Sequence, residues 1–94
     1  MENIINIEKE NLTGLKFSLS EVLNNELLIA KRTYNIQKAV RLGNLYKGKV
    51  KIKFRNFGNE LMSVNTTIWA WGSDYISLKG GKSIPVKAIE EIQF

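Results

Sequence analysis

The sequence predicts an α+β domain, mainly β, in which a long N-terminal amphipathic helix precedes a small, strongly bent, five-stranded antiparallel barrel. Three observations predict it. Apolar residues recur at helical spacing within residues 18–44, the period falls from about 3.6 to 2 at "KVKIKFR", and turn residues then punctuate the chain to its end. So few strands must curl to hide both ends of one apolar face, so a bent barrel is expected in place of an open sheet. A chain of 94 residues fits one domain with one modest core, and 44% apolar with 24% charged residues is the balance of a folded globule.

The elements follow in chain order. In residues 1–17 two readings stay open: "NIINI" forms a short strand or a helical turn, and Gly14 interrupts whatever precedes the helix. Residues 18–44 form the helix, with Ser18 or Ser20 as N-cap and Gly43-Asn44 as C-cap. Leu23, Leu27, Ala30 and Tyr34 supply its apolar stripe, Lys31 and Lys38 lie away from that stripe, and the segment Thr33 to Asn35 is its weak point. Residues 45–94 form the barrel. Val50, Ile52 and Phe54 alternate with Lys49, Lys51, Lys53 and Arg55, giving a strand with one apolar and one cationic face. "ELMSVNTTIWAWG" reads as one longer strand with Val64, Thr66, Ile68 and Ala70 on one face and Trp69 and Trp71 on the other. Ile76 and Leu78 face inward before a Gly80-Gly81 hairpin, Ile84 and Val86 make a very short strand, and Ile89, Ile92 and Phe94 finish the sheet.

Charge is unevenly distributed. No acidic residue lies between Glu26 and Glu60, a stretch with nine cations, whereas the rest of the chain carries five basic and nine acidic side chains; the net charge is +5. A cationic middle of this kind suits an anionic partner, and it also suits a solvated helix face with a lysine-rich strand that resists edge aggregation.

The ending, with Ile76, Leu78, Gly80, Gly81, Ile84, Val86, Ala88, Ile89 and Ile92 in sequence, resembles the Sm-like and Rof-like branch of the SH3-type barrels. The span Leu45 to Phe94 also resembles the C-terminal part of short uncharacterised bacterial proteins. The Sm-like resemblance implies RNA contact at the turn before the last strand; the family's Tyr-Lys-His combination is replaced here by Val86-Lys87-Ala88, so only Lys87 keeps a comparable role. Pro85 falls in the strand that Sm subunits use for ring pairing, and proline cannot donate to a ladder, which argues against such a ring. Rof-like barrels inhibit a helicase through an acidic surface, and the charge here has the opposite sign.

Enzymatic chemistry finds little to work with. The chain has no His and no Cys, which removes the most adaptable general base, the thiol nucleophile, the disulfides and the usual zinc ligand sets. Adjacent Glu90 and Glu91 in a strand point to opposite faces, and "LKGGKS" lacks the spacing of a phosphate loop and precedes a strand instead of a helix. No enzyme, metal or cofactor is expected. The start "MENIINIEKENL" lacks the pattern of a secretory signal and no apolar run is long enough to span a bilayer, so a cytoplasmic protein without membrane contact is expected.

The expected function is binding of RNA or single-stranded DNA, with Lys47, Lys49, Lys51, Lys53 and Arg55 on phosphates and Trp71, Tyr75 and Lys87 beside them. Tyr46 and Phe57, at the ends of the cationic strand, are further contact candidates, while Trp69 is expected to seal the barrel against the helix. The alternative is a protein-interaction module or structural homodimer that uses the helix and a sheet edge, its lysines serving solubility. A helix packed on its own chain beside a bare lysine face favours nucleic acid; a projecting helix favours association.

Overall fold

The computed structural model describes residues 2–94. Strand β1 (Ile5–Asn6) and a 3-10 turn at Lys9–Leu12 come first, then α1 (Glu26–Tyr46), β2 (Val50–Arg55), β3 (Leu61–Thr66) and β4 (Ile68–Trp71). Strands β5 (Tyr75–Leu78) and β6 (Ser83–Pro85), a 3-10 turn at Val86–Ala88, and β7 (Ile89–Gln93) complete the chain. The strands form two sheets, β1-β3-β2-β7 and β4-β5-β6. The expected five-stranded Sm-like or SH3-like barrel with an N-terminal helix is therefore wrong: among the described residues there are seven strands in two sheets, and the helix lies mid-chain, after a strand.

The corner between the sheets explains the difference. "ELMSVNTTIWAWG" is not one strand; it breaks at Thr67, whose carbonyl accepts from the Lys79 amide at 3.0 Å instead of continuing the β3 ladder. The β3 ladder ends at Thr66, opposite Val50, and the β4 ladder starts at Ile68, opposite Leu78, so the chain turns at Thr67 and passes to the second sheet. A register shift between Ile68 and Ala70 then leaves Ala70 exposed, against the face predicted for it.

The helix begins at Glu26, not at residue 18. Backbone amides of Ser18 and Val22 donate to the carbonyls of Arg55 and Lys87, so this stretch is tied to the sheets and is unavailable for helical ladders. Asn25 is the N-cap, its Oδ1 accepting from the Leu27 amide at 2.7 Å and the Leu28 amide at 3.3 Å. The helix runs unbroken through Thr33, whose hydroxyl donates to the Ile29 carbonyl, and passes beyond Gly43 to a left-handed Lys47 cap at φ 56°. Gly43 is not a stop signal. It is buried where α1 comes closest to the β3–β4 corner, and an added Cβ would collide with the Ile68 carbonyl and lie 2.8 Å from Thr67 Cγ2.

The buried face of α1 consists of Arg32, Ile36, Ala39 and Gly43. The predicted stripe fails: Leu27 is 80% exposed and Tyr34 61%. Both sets have helical spacing, and the correct phase was masked by an arginine at its head. Arg32 is buried because its guanidinium is held at 2.6 Å by both carboxylate oxygens of Glu21 and donates to the Ile89 carbonyl at 3.0 Å.

One core joins these elements. Val50, Ile52 and Phe54 of β2 are buried as their alternation requires, opposite Val64 on β3 and Ile92 and Ile89 on β7. Ile36 and Ala39 from the helix and Ile76, Leu78 and Ile84 from the second sheet close it. The Gly80-Gly81 hairpin is as expected, with φ of 92° and 88°. In residues 2–17, the "NIINI" segment holds a two-residue strand, with Ile5 and Asn6 running parallel to Met62 and Ser63.

Candidate nucleic-acid interface

The outer face of β2 is not the uniform cationic surface that alternation suggests. Lys51 sits between Asn65 of β3 and Gln93 of β7. Lys53 lies opposite Glu91, with Nζ 3.5 Å from its carboxylate and the side chain only 20% exposed. Arg55 is saturated. Its Nε donates to Glu90 at 2.6 Å, its terminal nitrogens grip the Glu2 carboxylate, and one of them also donates to the Asn59 carbonyl at 3.0 Å. These bonds raise the guanidinium's already high pKa, and the bond from Arg55 holds the Glu2 carboxyl below the usual carboxylate range. The strand face is thus graded, neutralised at Arg55 and still positive at Lys49 and Lys51.

A bulge does this. The β2–β7 register shifts between Lys53 and Phe54, so that Lys53 pairs with Glu91 and Phe54 with Ile89. Glu90 is the extra residue, and both adjacent glutamates reach cations on β2 instead of pointing to opposite faces. Arg55, with its three acceptor groups, ties the segment before β1 to the last strand, and the carboxylates of Glu2 and Glu90 offset its charge, so it presents no net positive charge to a phosphate.

Of the other predicted site residues, Lys47 and Lys49 are exposed in the turn between α1 and β2. The Lys47 amide caps the helix on the Gly43 carbonyl at 3.0 Å, and its own carbonyl accepts from Thr67 Oγ1 at 3.4 Å, which fixes the turn and leaves both ammonium groups outside. Lys49 shares a small hollow with Lys79, Asn65 and Lys9, although Glu8 and Glu10 border it.

Tyr75 and Lys87 are brought together. They line one hollow with Phe17, Leu19, Pro85 and Asp74. Phe17 bridges Asn56, just past the Arg55 end of β2, whereas Lys47 and Lys49 precede its other end. The predicted residues therefore fall into two groups separated by the length of β2, roughly 20 Å for six residues. Trp71 pairs with Ile76 on β5 and is exposed, Trp69 is exposed as well and seals nothing, and Phe57 is an exposed turn residue.

The structure adds residues to the cationic group. Lys38 and Arg41 project from α1 beside Tyr34, Leu45 and Tyr46, and these side chains together with Leu42 border one hollow. The Lys38 ammonium lies 4.6 Å from the centre of the Phe94 ring. Among the described residues none of Lys38, Arg41, Lys47, Lys49 and Lys51 is in an ion pair. From Tyr34 to Lys51 the chain presents a cationic surface with two exposed tyrosines, Tyr34 and Tyr46, and no acid of its own. Sequence could have found it: taking Ile36, Ala39 and Gly43 as the buried face puts Tyr34, Lys38 and Arg41 outside together.

Among the described residues no group of three His, Cys, Asp or Glu side chains is placed to hold a metal ion, and no helix is long and apolar enough to cross a membrane. Comparison with known proteins finds no matching family model, no similar curated protein and no similar solved structure.

Proposed function

We propose that this protein binds nucleic acid through the exposed face of the C-terminal half of α1 and the turn into β2. The observation that carries this reading is the set of five cations, Lys38, Arg41, Lys47, Lys49 and Lys51, outside any ion pair among the described residues, in a stretch without acid. Lys53 and Arg55 neutralise glutamates within the fold and drop out of the binding set. α1 packs on β4 and β7 of its own chain, so it is not a projecting element waiting for a partner helix. A symmetric dimer through its outer face would also set Lys38 and Arg41 of two copies against each other, a like-charge contact with no acid in the patch to relieve it.

Lysine ammonium groups act as point charges on phosphates and offer few fixed donors to base edges, so weak sequence dependence and a steep salt dependence are expected. For ~3 to 5 phosphate contacts, log K against log salt should have a slope of about −2 to −4. Replacing Lys38, Arg41, Lys47 and Lys49 together by Gln should flatten that slope by roughly two to three units without lowering the unfolding midpoint, since all four are exposed. Lys53→Gln should leave the slope nearly unchanged, because Glu91 already balances that charge. Fluorescence anisotropy over a salt series measures both. A fourfold variant with the parent's slope, or no binding at low salt by folded protein, contradicts the proposal.

A further inference from the structure

We infer that the hollow on α1 holds unpaired bases, so that the preferred partner is a single strand and not a duplex; this rests on the nucleic-acid reading above. Tyr34, Lys38, Arg41 and Leu45 follow one another at i, i+4, i+7 and i+11, which puts them on one face of the helix, and Tyr46 adjoins the last of them. With Leu42 they border a hollow of about 310 Å³, at the small end of ligand pockets. Tyr34 and Tyr46 are roughly 18 Å apart along the axis at ~1.5 Å per residue, so the hollow is elongated and has an aromatic ring near each end.

Neither ring is packed into the core of its own chain. Tyr46 is 75% exposed and Tyr34 61%, and among the described residues neither phenol hydroxyl makes a hydrogen bond inside the chain. Their faces contribute nothing to the core, while Lys38 and Arg41 stand between them with charges that no acid on the helix beyond Glu26 offsets. A polyanion that also presents flat π-faces matches both features. Base–aromatic stacking tolerates any sequence because every base has a π-face, and in a duplex those faces are already stacked on their neighbours. Phosphates continuing from the groove meet Lys47 and Lys49, which follow α1 directly in the turn.

The test compares a short unstructured RNA, the single-stranded DNA of the same sequence and the corresponding RNA duplex at one salt concentration. Both single strands should bind at least about tenfold more tightly than the duplex. The Tyr34→Ala, Tyr46→Ala double variant should lose about tenfold or more on the single strands, keep the duplex affinity and keep the salt slope, because stacking releases no counterions. The matching Phe variants retain the rings and should bind as the parent does. Equal affinity for single strand and duplex, indifferent to both alanines, overturns this inference and leaves the nucleic-acid proposal intact. Failure to bind any of the three probes overturns both.

Discussion

Gly43→Ala should destabilise the protein by about 2 kcal/mol, although helix propensity alone predicts a gain of ~0.5 to 1 kcal/mol for replacing an interior helical glycine. The sign is set by what the new methyl would meet. Its Cβ would sit against the Ile68 carbonyl and 2.8 Å from Thr67 Cγ2, at the corner where the chain passes from one sheet to the other. The carbonyl cannot swing aside as a flexible side chain would, so α1 must lift off β4, and overpacking of this kind costs ~1 to 3 kcal/mol or more. The larger loss wins. In thermal unfolding the variant should melt about 10 °C lower, at ~4 to 8 °C per kcal/mol for a domain of this size. Gly48→Ala is the control, since its Cβ would meet only Leu42 at 3.7 Å, an ordinary contact. A Gly43→Ala protein more stable than its parent would mean that the helix does not approach the corner as closely as the structure has it.

Glu21→Gln is expected to cost about 3 kcal/mol, the low end of the ~3 to 5 typical of breaking a buried ion pair. Arg32 is 4% exposed and carries its charge into the helix–sheet seam, where Glu21 supplies the only carboxylate on it among the described residues. Glu21 itself is partly open to solvent, which tempers the loss. The cost is mainly that of an uncompensated guanidinium, so Arg32→Met in the Glu21→Gln background should restore most of the stability, and a double-mutant cycle in urea reads both steps. The pair also sets a pH dependence. Hydrogen bonds from Arg32 hold the Glu21 carboxyl below its ordinary range, so its contribution is complete above the ordinary carboxylate pKa and is lost as pH falls through the lowered one. The acid limb of the stability profile should therefore be shallower in Glu21→Gln than in the parent.

What could be read from the sequence follows from how local its causes are. Strict alternation from Lys49 to Arg55 fixes which side chains of β2 are buried, because a strand of period 2 has no other way to hide Val50, Ile52 and Phe54. Gly80-Gly81 marks a hairpin because both residues need positive φ. The helix phase was hidden because an arginine, which pattern reading assigns to solvent, heads its buried face once Glu21 is folded against it. The two-sheet architecture was hidden because the Thr67 corner lies within a run of β-branched residues that reads as continuous strand. The state of the β2 cations depended on a one-residue bulge that turns Glu90 and Glu91 toward the same strand; the lysines showed in the sequence and their neutralisation did not. The aromatic and cationic hollow on α1 is hidden in the sequence for the same reason as the helix phase, since the pattern that points Leu23, Leu27 and Ala30 inward takes Tyr34 with them.

Backbone amide shifts recorded by NMR during titration with a short unstructured RNA at low salt locate any contact residue by residue. Perturbations should concentrate between Tyr34 and Lys51, strongest near Tyr34, Arg41 and Tyr46 to Lys49, and leave Lys53, Arg55 and the Tyr75–Lys87 hollow quiet. No perturbation, or one centred on Lys53 and Arg55 or on Tyr75 and Lys87, would contradict binding on this face of the helix.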